Sequence, residues 1–174
     1  MEAFLNYGKH WIDDDDIAAV VEVLKSDFIT QGPRISEFEK ILADYVGARY
    51  AVVVSNGTAA LHLAVKALNL TGDKQGITTP NTFAASSNCL VYNGLKPGFA
   101  DIDTKTYCID PLEIEKQITP ETAVLIPVHF AGQPCAMEKI RNLAQARSLH
   151  VIEDASHAIG SKYENEKRVG SCCY

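Results

Sequence analysis

The apolar positions of this chain change period along its length. Asp13-Asp14-Asp15-Asp16 precedes Ile17, Val20, Val21 and Leu24, a helical spacing with acids in the first turn, where the helix dipole favours them. Gly32-Pro33 then breaks the chain. A second helix is predicted with Ile35, Phe38, Ile41, Leu42 and Tyr45 on one face and Gly47 just past its end. From Tyr50 the pattern alternates between two kinds of segment. Short apolar runs read as strands at Tyr50–Val54, Ile77–Thr79, Pro97–Ala100, Ala123–Val128 and Leu149–Ile152. Helical spacings fall between them. Asn56-Gly57-Thr58 leads into a helix from Ala59 to Leu68, and Phe83 to Tyr92 forms another. Asp110-Pro111-Leu112-Glu113 supplies a cap, a proline at the first helical position and a glutamate at the third. Met137, Ile140, Leu143 and Ala144 make one further helix face.

Strands alternating with helices predict an α/β fold with a mainly parallel sheet, covered by helices and joined by right-handed crossovers. The 174 residues suit one domain or one piece of a larger one. With 47% apolar and 22% charged residues the chain can bury a core, which excludes disorder as its main state. The formal net charge is −6, from 16 Lys+Arg against 22 Asp+Glu. That leaves no global basic footprint, so neither a nucleic acid nor an anionic membrane is an expected partner. No apolar run is long enough to span a bilayer, and the residues after Met1 do not read as a signal peptide. Five cysteines (Cys89, Cys108, Cys135, Cys172, Cys173) are odd in number and lack a Cys-x-x-Cys pair. They read as small buried hydrophobes and reduced thiols of a cytoplasmic protein rather than a disulfide framework or a zinc site. The last segment, Val169–Tyr174, lacks a closing helix, so the chain is expected to be cut within a domain.

In an open parallel sheet, ligands sit beyond the carboxyl ends of the strands, and four groups of chemistry-bearing residues are predicted there. Ser55-Asn56-Gly57-Thr58 joins a strand to a helix whose first N–H groups could hold an anion. It is neither a Walker loop nor a Gly-x-Gly-x-x-Gly fingerprint. Pro80-Asn81-Thr82-Phe83 could present an aromatic at a pocket edge, although an aromatic at helical spacing is usually core. Pro127-Val128-His129 carries a histidine that reads best as a satisfied polar side chain. Glu153-Asp154-Ala155-Ser156-His157 places acids at the end of a buried strand, with His157 three residues beyond Asp154 and so on its face in a helical turn. A magnesium role for these acids is disfavoured without a phosphate loop. An anion cradle, an aromatic face and a buried carboxylate on one rim are the parts a pyridoxal phosphate site requires.

At this point the sequence resembles the N-terminal part of the sugar aminotransferases of the DegT/DnrJ/EryC/StrS family, in the aspartate-aminotransferase fold (pyridoxal phosphate fold type I). The carrying segments are Ser26–Pro33, Ser55–Leu61, Thr79–Phe83, Pro127–Pro134 and Ile152–Ala158. Together they give a resemblance along essentially all 174 residues. It implies pyridoxal 5′-phosphate as cofactor, a nucleotide sugar and glutamate as substrates, and a homodimer. Gly57 and Thr58 match the backbone that holds the cofactor phosphate, Phe83 the ring-stacking aromatic, and Asp154 the acid paired with the pyridine nitrogen. His157 stands where most relatives have a glutamine near the ring hydroxyl. The Ser156-His157-Ala158 variant looks most like the transaminases of the pseudaminic acid pathway, which aminate a UDP-linked 4-keto-6-deoxy sugar. The family lysine that forms the Schiff base is expected beyond Tyr174, together with the small C-terminal domain, and none of this chain's lysines matches it. Two other readings stand beside the aminotransferase: a dehydratase of the same family, in which a histidine replaces that lysine, and an inactive truncated module with exposed apolar surface.

Overall fold

A computed structural model of the chain describes residues 10–171. The chain divides into two compact units, 1–38 and 39–174.

In the first unit, helix α1 (Asp14–Lys25) begins at a capping box. The Asp13 carboxylate accepts the N–H groups of Asp15 and Asp16, and the Asp16 side chain accepts the N–H of Asp13. The acidic run is thus a helix cap, as its position before Ile17 implies. Helix α2 (Pro33–Val46) starts at the proline that breaks the chain and runs into the second unit. Arg34 at its start bridges Glu22 and Glu37 at 2.6 and 2.8 Å. The expected apolar stripes exist but are not core. Ile17, Val20, Val21 and Leu24 of α1 are exposed, as are Ile35, Phe38, Ile41 and Tyr45 of α2. Periodicity reports which face of a helix is apolar; it cannot report what that face packs against.

The second unit holds α3 (Gly57–Ala67), β1 (Gln75–Thr78), α4 (Ala85–Tyr92), β2 (Lys96–Phe99), α5 (Pro111–Gln117), β3 (Thr122–Leu125), α6 (Met137–Ala146) and β4 (His150–Val151). The strands form one sheet in the order β2-β1-β3-β4, with every pair parallel. Successive side chains of a strand point to opposite faces, so the sheet divides the core in two. Ile77 and Leu125 face a cluster with Ile114, Met137 and Ile140 on the α5/α6 side. Val124 and Ile126 face Leu61, Val65 and Leu90 on the α3/α4 side. Gly76 of β1 is required by this second layer. A methyl group there would fall on Leu90 Cδ2 and lie 2.9 Å from Val124 Cγ1.

One predicted strand does not form. Residues 51–54 have no ladder; instead the Val53 N–H donates to Glu39 Oε1 at 2.9 Å, and Tyr50 and Val52 are exposed. β-branched composition favours extended backbone but supplies no partner strand. The strand predicted at 149–152 shortens to two residues at the sheet edge, yet its pairing continues. Ile152 N–H donates to Leu125 O, and Asp154 N–H to Pro127 O, both at 2.9 Å. No helix among the described residues is long and apolar enough to cross a membrane.

Candidate functional site

Because all four strands are parallel, their carboxyl ends open on one edge of the sheet. Three connections meet there. The segment after β1 carries Thr82 and Phe83. The segment after β3 carries Val128 and His129. The continuation of β4 carries Asp154, which bridges in parallel to Val128. The N-terminus of α3 completes the rim. Asn56 caps that helix by accepting the Ala59 N–H at 2.9 Å, and its carbonyl takes the Ala60 N–H. The Gly57 and Thr58 N–H groups remain at the open end. These elements enclose a cavity of about 280 Å³ whose lining includes Gly57, Thr58, Phe83, His129, Asp154 and His157. No lysine is among the described residues that line it.

Asp154 is 6% exposed. Its Oδ2 accepts the Ser86 hydroxyl at 2.7 Å, and its Oδ1 accepts the Ser156 hydroxyl at 2.7 Å and the Ser156 N–H at 3.3 Å. These neutral donors satisfy lone pairs but do not neutralise the charge. Among the described residues no cation pairs with this carboxylate. A buried acid of this kind has a strong preference for a cationic ligand group. Phe83 lies at the opposite extreme, 77% exposed at the cavity rim. It is an open aromatic face rather than a core residue, which decides between the two readings its helical spacing allowed. The helix starts after it, at Ala85.

His157 lines the cavity from an exposed turn, not from a helical face shared with Asp154. That geometry departs from the expected helical turn, because residues 154–157 continue the strand edge into a bend. The turn is held from behind. Gly132 has φ +87°, a conformation that favours glycine, and a Cβ there would lie a tight 3.1 Å from the His157 carbonyl.

Ser86 was invisible as a site residue in the sequence. It sits near the start of an apolar helix, with no neighbouring residue in the sequence to mark it as polar for a purpose. A second buried polar group, His129, belongs to the cavity wall. His129 Nδ1 accepts the Cys135 N–H at 3.1 Å, which requires a lone pair on that nitrogen and leaves the proton on Nε2. Nε2 meets Glu153 Oε2 at 2.8 Å, and the Tyr163 hydroxyl donates to the same oxygen at 2.7 Å. His129 is therefore a satisfied, structural imidazole, as its position after an apolar strand implies. No cluster of acids, histidines and cysteines suited to a metal ion is present among the described residues.

The open amides at α3 suit an anion, Phe83 suits a flat ring, and Asp154 suits a protonated nitrogen. Comparison with known proteins bears on this combination. The sequence pattern of the DegT/DnrJ/EryC1/StrS aminotransferase family matches residues 10–173. The chain is 42% identical over 97% of its length to the spore coat polysaccharide biosynthesis protein SpsC of Bacillus subtilis. Among solved structures it is similar to Helicobacter pylori PseC, an aminotransferase involved in the biosynthesis of pseudoaminic acid. That likeness has a TM-score of 0.89 and 36% identity, and covers 93% of this chain and 44% of that one. NtdA of Bacillus subtilis, solved with bound cofactor PMP, gives a TM-score of 0.83 and 36% identity over 90% of this chain and 37% of that one. The chain spans about 43% of the length of the curated relatives it matches. Its parallel α/β sheet is that of the fold type I pyridoxal phosphate aminotransferases, and the chain belongs to the DegT/DnrJ/EryC1/StrS aminotransferase family.

Proposed function

We propose that the protein containing this chain is a pyridoxal phosphate-dependent aminotransferase that converts a nucleotide-linked 4-keto-6-deoxy sugar to the 4-amino sugar, with glutamate as donor. The observation that carries the reading is the buried Asp154 carboxylate, without a cation among the described residues, facing a cavity between an open helix N-terminus and an exposed aromatic. A cofactor that is anionic at one end, planar in the middle and cationic at a ring nitrogen fits that donor set. Pyridoxal phosphate supplies an electron sink for a substrate carbanion when its ring nitrogen is protonated.

The chain's own residues have separate tasks. The N–H groups of Gly57 and Thr58 bind phosphate oxygens, where the dipole of α3 adds to the attraction. Phe83 covers one ring face and excludes water from it. Asp154 holds the proton on the pyridine nitrogen, and Ser86 and Ser156 hold Asp154 in place. His157 lines the same cavity from the turn that follows and would contact the cofactor there. The activity is proposed for a homodimer of the whole protein, of which this chain is the N-terminal part of the large domain. A UDP-linked 4-keto-6-deoxy sugar is the favoured substrate, on the Ser156-His157-Ala158 segment.

The test is Asp154→Asn in the full-length protein. The substitution keeps shape and removes charge, so amino transfer from glutamate should slow by several powers of ten, each about 1.4 kcal/mol of barrier. Near-normal turnover would overturn the assignment. Comparing UDP- and dTDP-linked ketosugars as acceptors tests the nucleotide.

A further inference from the structure

Asp154 is reached by a chain of hydroxyls whose protons can be counted. Thr82 Oγ1 lies 2.7 Å from Ser86 Oγ, and Ser86 Oγ lies 2.7 Å from Asp154 Oδ2. Contacts this short need one proton between their oxygens. Ser86 has one hydroxyl proton and three acceptors in reach: Asp154 Oδ2, Thr82 Oγ1 and, at a longer 3.3 Å, Phe83 O. The ionised oxygen is the strongest acceptor of the three, so the proton goes to Asp154. Ser86 then has none left for Thr82. The Thr82 hydroxyl therefore donates to Ser86, and the chain runs in one direction, from Thr82 through Ser86 to Asp154.

The Thr82 side chain forgoes a more ordinary use. Threonine just ahead of a helix commonly caps it, yet Ala84 stands at the N-cap of α4 and no side chain accepts an N–H there. The turn that carries Thr82 is fixed by its neighbour: the Asn81 N–H donates to Thr79 Oγ1 at 3.2 Å, and Asn81 Nδ2 to Tyr107 O at 3.1 Å. Thr82 is half-buried and lines the cavity together with Asp154, whereas Ser86 is fully buried behind them. On the carboxylate, Oδ1 takes both Ser156 donors, and Oδ2 takes only Ser86 among the described residues. The second lone pair of Oδ2 is therefore the one left for a ligand.

We infer that Thr82 is a positioning residue: through Ser86 it holds the Asp154 carboxylate so that the free lone pair of Oδ2 meets a protonated ring nitrogen in the cavity. The inference rests on the proposed pairing of Asp154 with the cofactor ring nitrogen. Thr82 acts on that nitrogen only through the two residues between them. A hydroxyl that accepts a hydrogen bond becomes a stronger donor, so Thr82 strengthens the bond from Ser86 to Asp154. Without the Thr82 hydroxyl, Ser86 is a weaker donor and Phe83 O competes for its proton. The carboxylate is then free to turn away from the ring nitrogen.

The experiment measures, by equilibrium dialysis against the full-length protein, the dissociation constants of pyridoxal phosphate and of its carbocyclic analogue, in which C–H replaces the ring nitrogen. Both molecules keep the aldehyde and the phosphate, so the ratio of the two constants isolates the ring nitrogen. Wild-type protein should hold pyridoxal phosphate more tightly than the analogue. Thr82→Val keeps the shape and removes the hydroxyl, and it should shrink that ratio by about twofold or more, the lower end of coupling within one hydrogen-bond network. Thr82→Ser should restore the ratio. Thr82→Ala removes the same hydroxyl without a second methyl group, and it carries the test if valine is not accommodated. Equal weakening of both molecules, with the ratio unchanged, makes Thr82 merely structural and overturns the inference. A wild-type protein that holds both molecules equally overturns instead the pairing of Asp154 with the ring nitrogen, and the inference falls with it.

Discussion

Ser86 Oγ donates to Asp154 Oδ2 at 2.7 Å across 68 residues of sequence. The bond ties α4 to the far end of the sheet, and it orients the carboxylate that faces the cavity. Ser86 is itself fully buried and also contacts Thr82 Oγ1 at 2.7 Å. Ser86→Ala removes a hydrogen bond to a charged, nearly buried group, so the chain should lose about 1–3 kcal/mol of stability. Urea denaturation measures this directly. In the full-length protein the same variant should weaken cofactor retention by less than Asp154→Asn slows turnover, since Ser156 still holds the other carboxylate oxygen.

Phe83 separates binding from folding. At 77% exposure it contributes little to the core, so Phe83→Ala should leave the urea midpoint essentially unchanged. On the proposed stacking role, cofactor affinity in the full-length protein should fall by about 0.5–1.5 kcal/mol, and Phe83→Tyr should restore it. Absorbance titration with pyridoxal phosphate reads the affinity. Equal affinity in all three proteins would remove Phe83 from the site.

Gly76 tests the sheet. Gly76→Ala puts a methyl group onto Leu90 Cδ2 and within 2.9 Å of Val124 Cγ1, inside a packed layer. Overpacking of this kind costs about 1–3 kcal/mol. Thermal unfolding should shift accordingly, and Leu90→Ala in the same chain should relieve part of the loss by making room, a coupling that a double-mutant cycle measures.

Cys89 gives the pH dependence a sign. Burial pushes this thiol up from the usual 9.0 to about 11. Between those values the folded state binds more protons than the unfolded state, so stability falls as pH rises from about 9 toward 11. Cys89→Ala should flatten that fall relative to its own stability near neutral pH. Urea midpoints taken across this range provide the measurement.

Much of this protein was determined locally. Asp13 and Asp16 close a capping box that four consecutive acids before an apolar helix announce. Asp110 caps α5 at 2.9 Å through Leu112 N–H, with Pro111 at the first helical position, as that short motif predicts. Alternating strands and helices required a parallel sheet, and a parallel sheet puts every strand's carboxyl end on one edge. That is why Gly57, Thr58, Phe83, Asp154 and His157, spread over 100 residues of sequence, could be expected on one rim. Tertiary structure decided what depends on a distant partner. Tyr50–Val54 has strand composition but no ladder, because a strand needs a neighbour and Val53 N–H finds Glu39 instead. Phe83 could have been core or rim until packing left it exposed. Ser86 read as one more residue of an apolar helix until the fold set it against Asp154. Periodicity and capping are properties of adjacent residues and are written in the sequence. Pairing, burial and the donors around a buried charge belong to residues that meet only after the chain has folded.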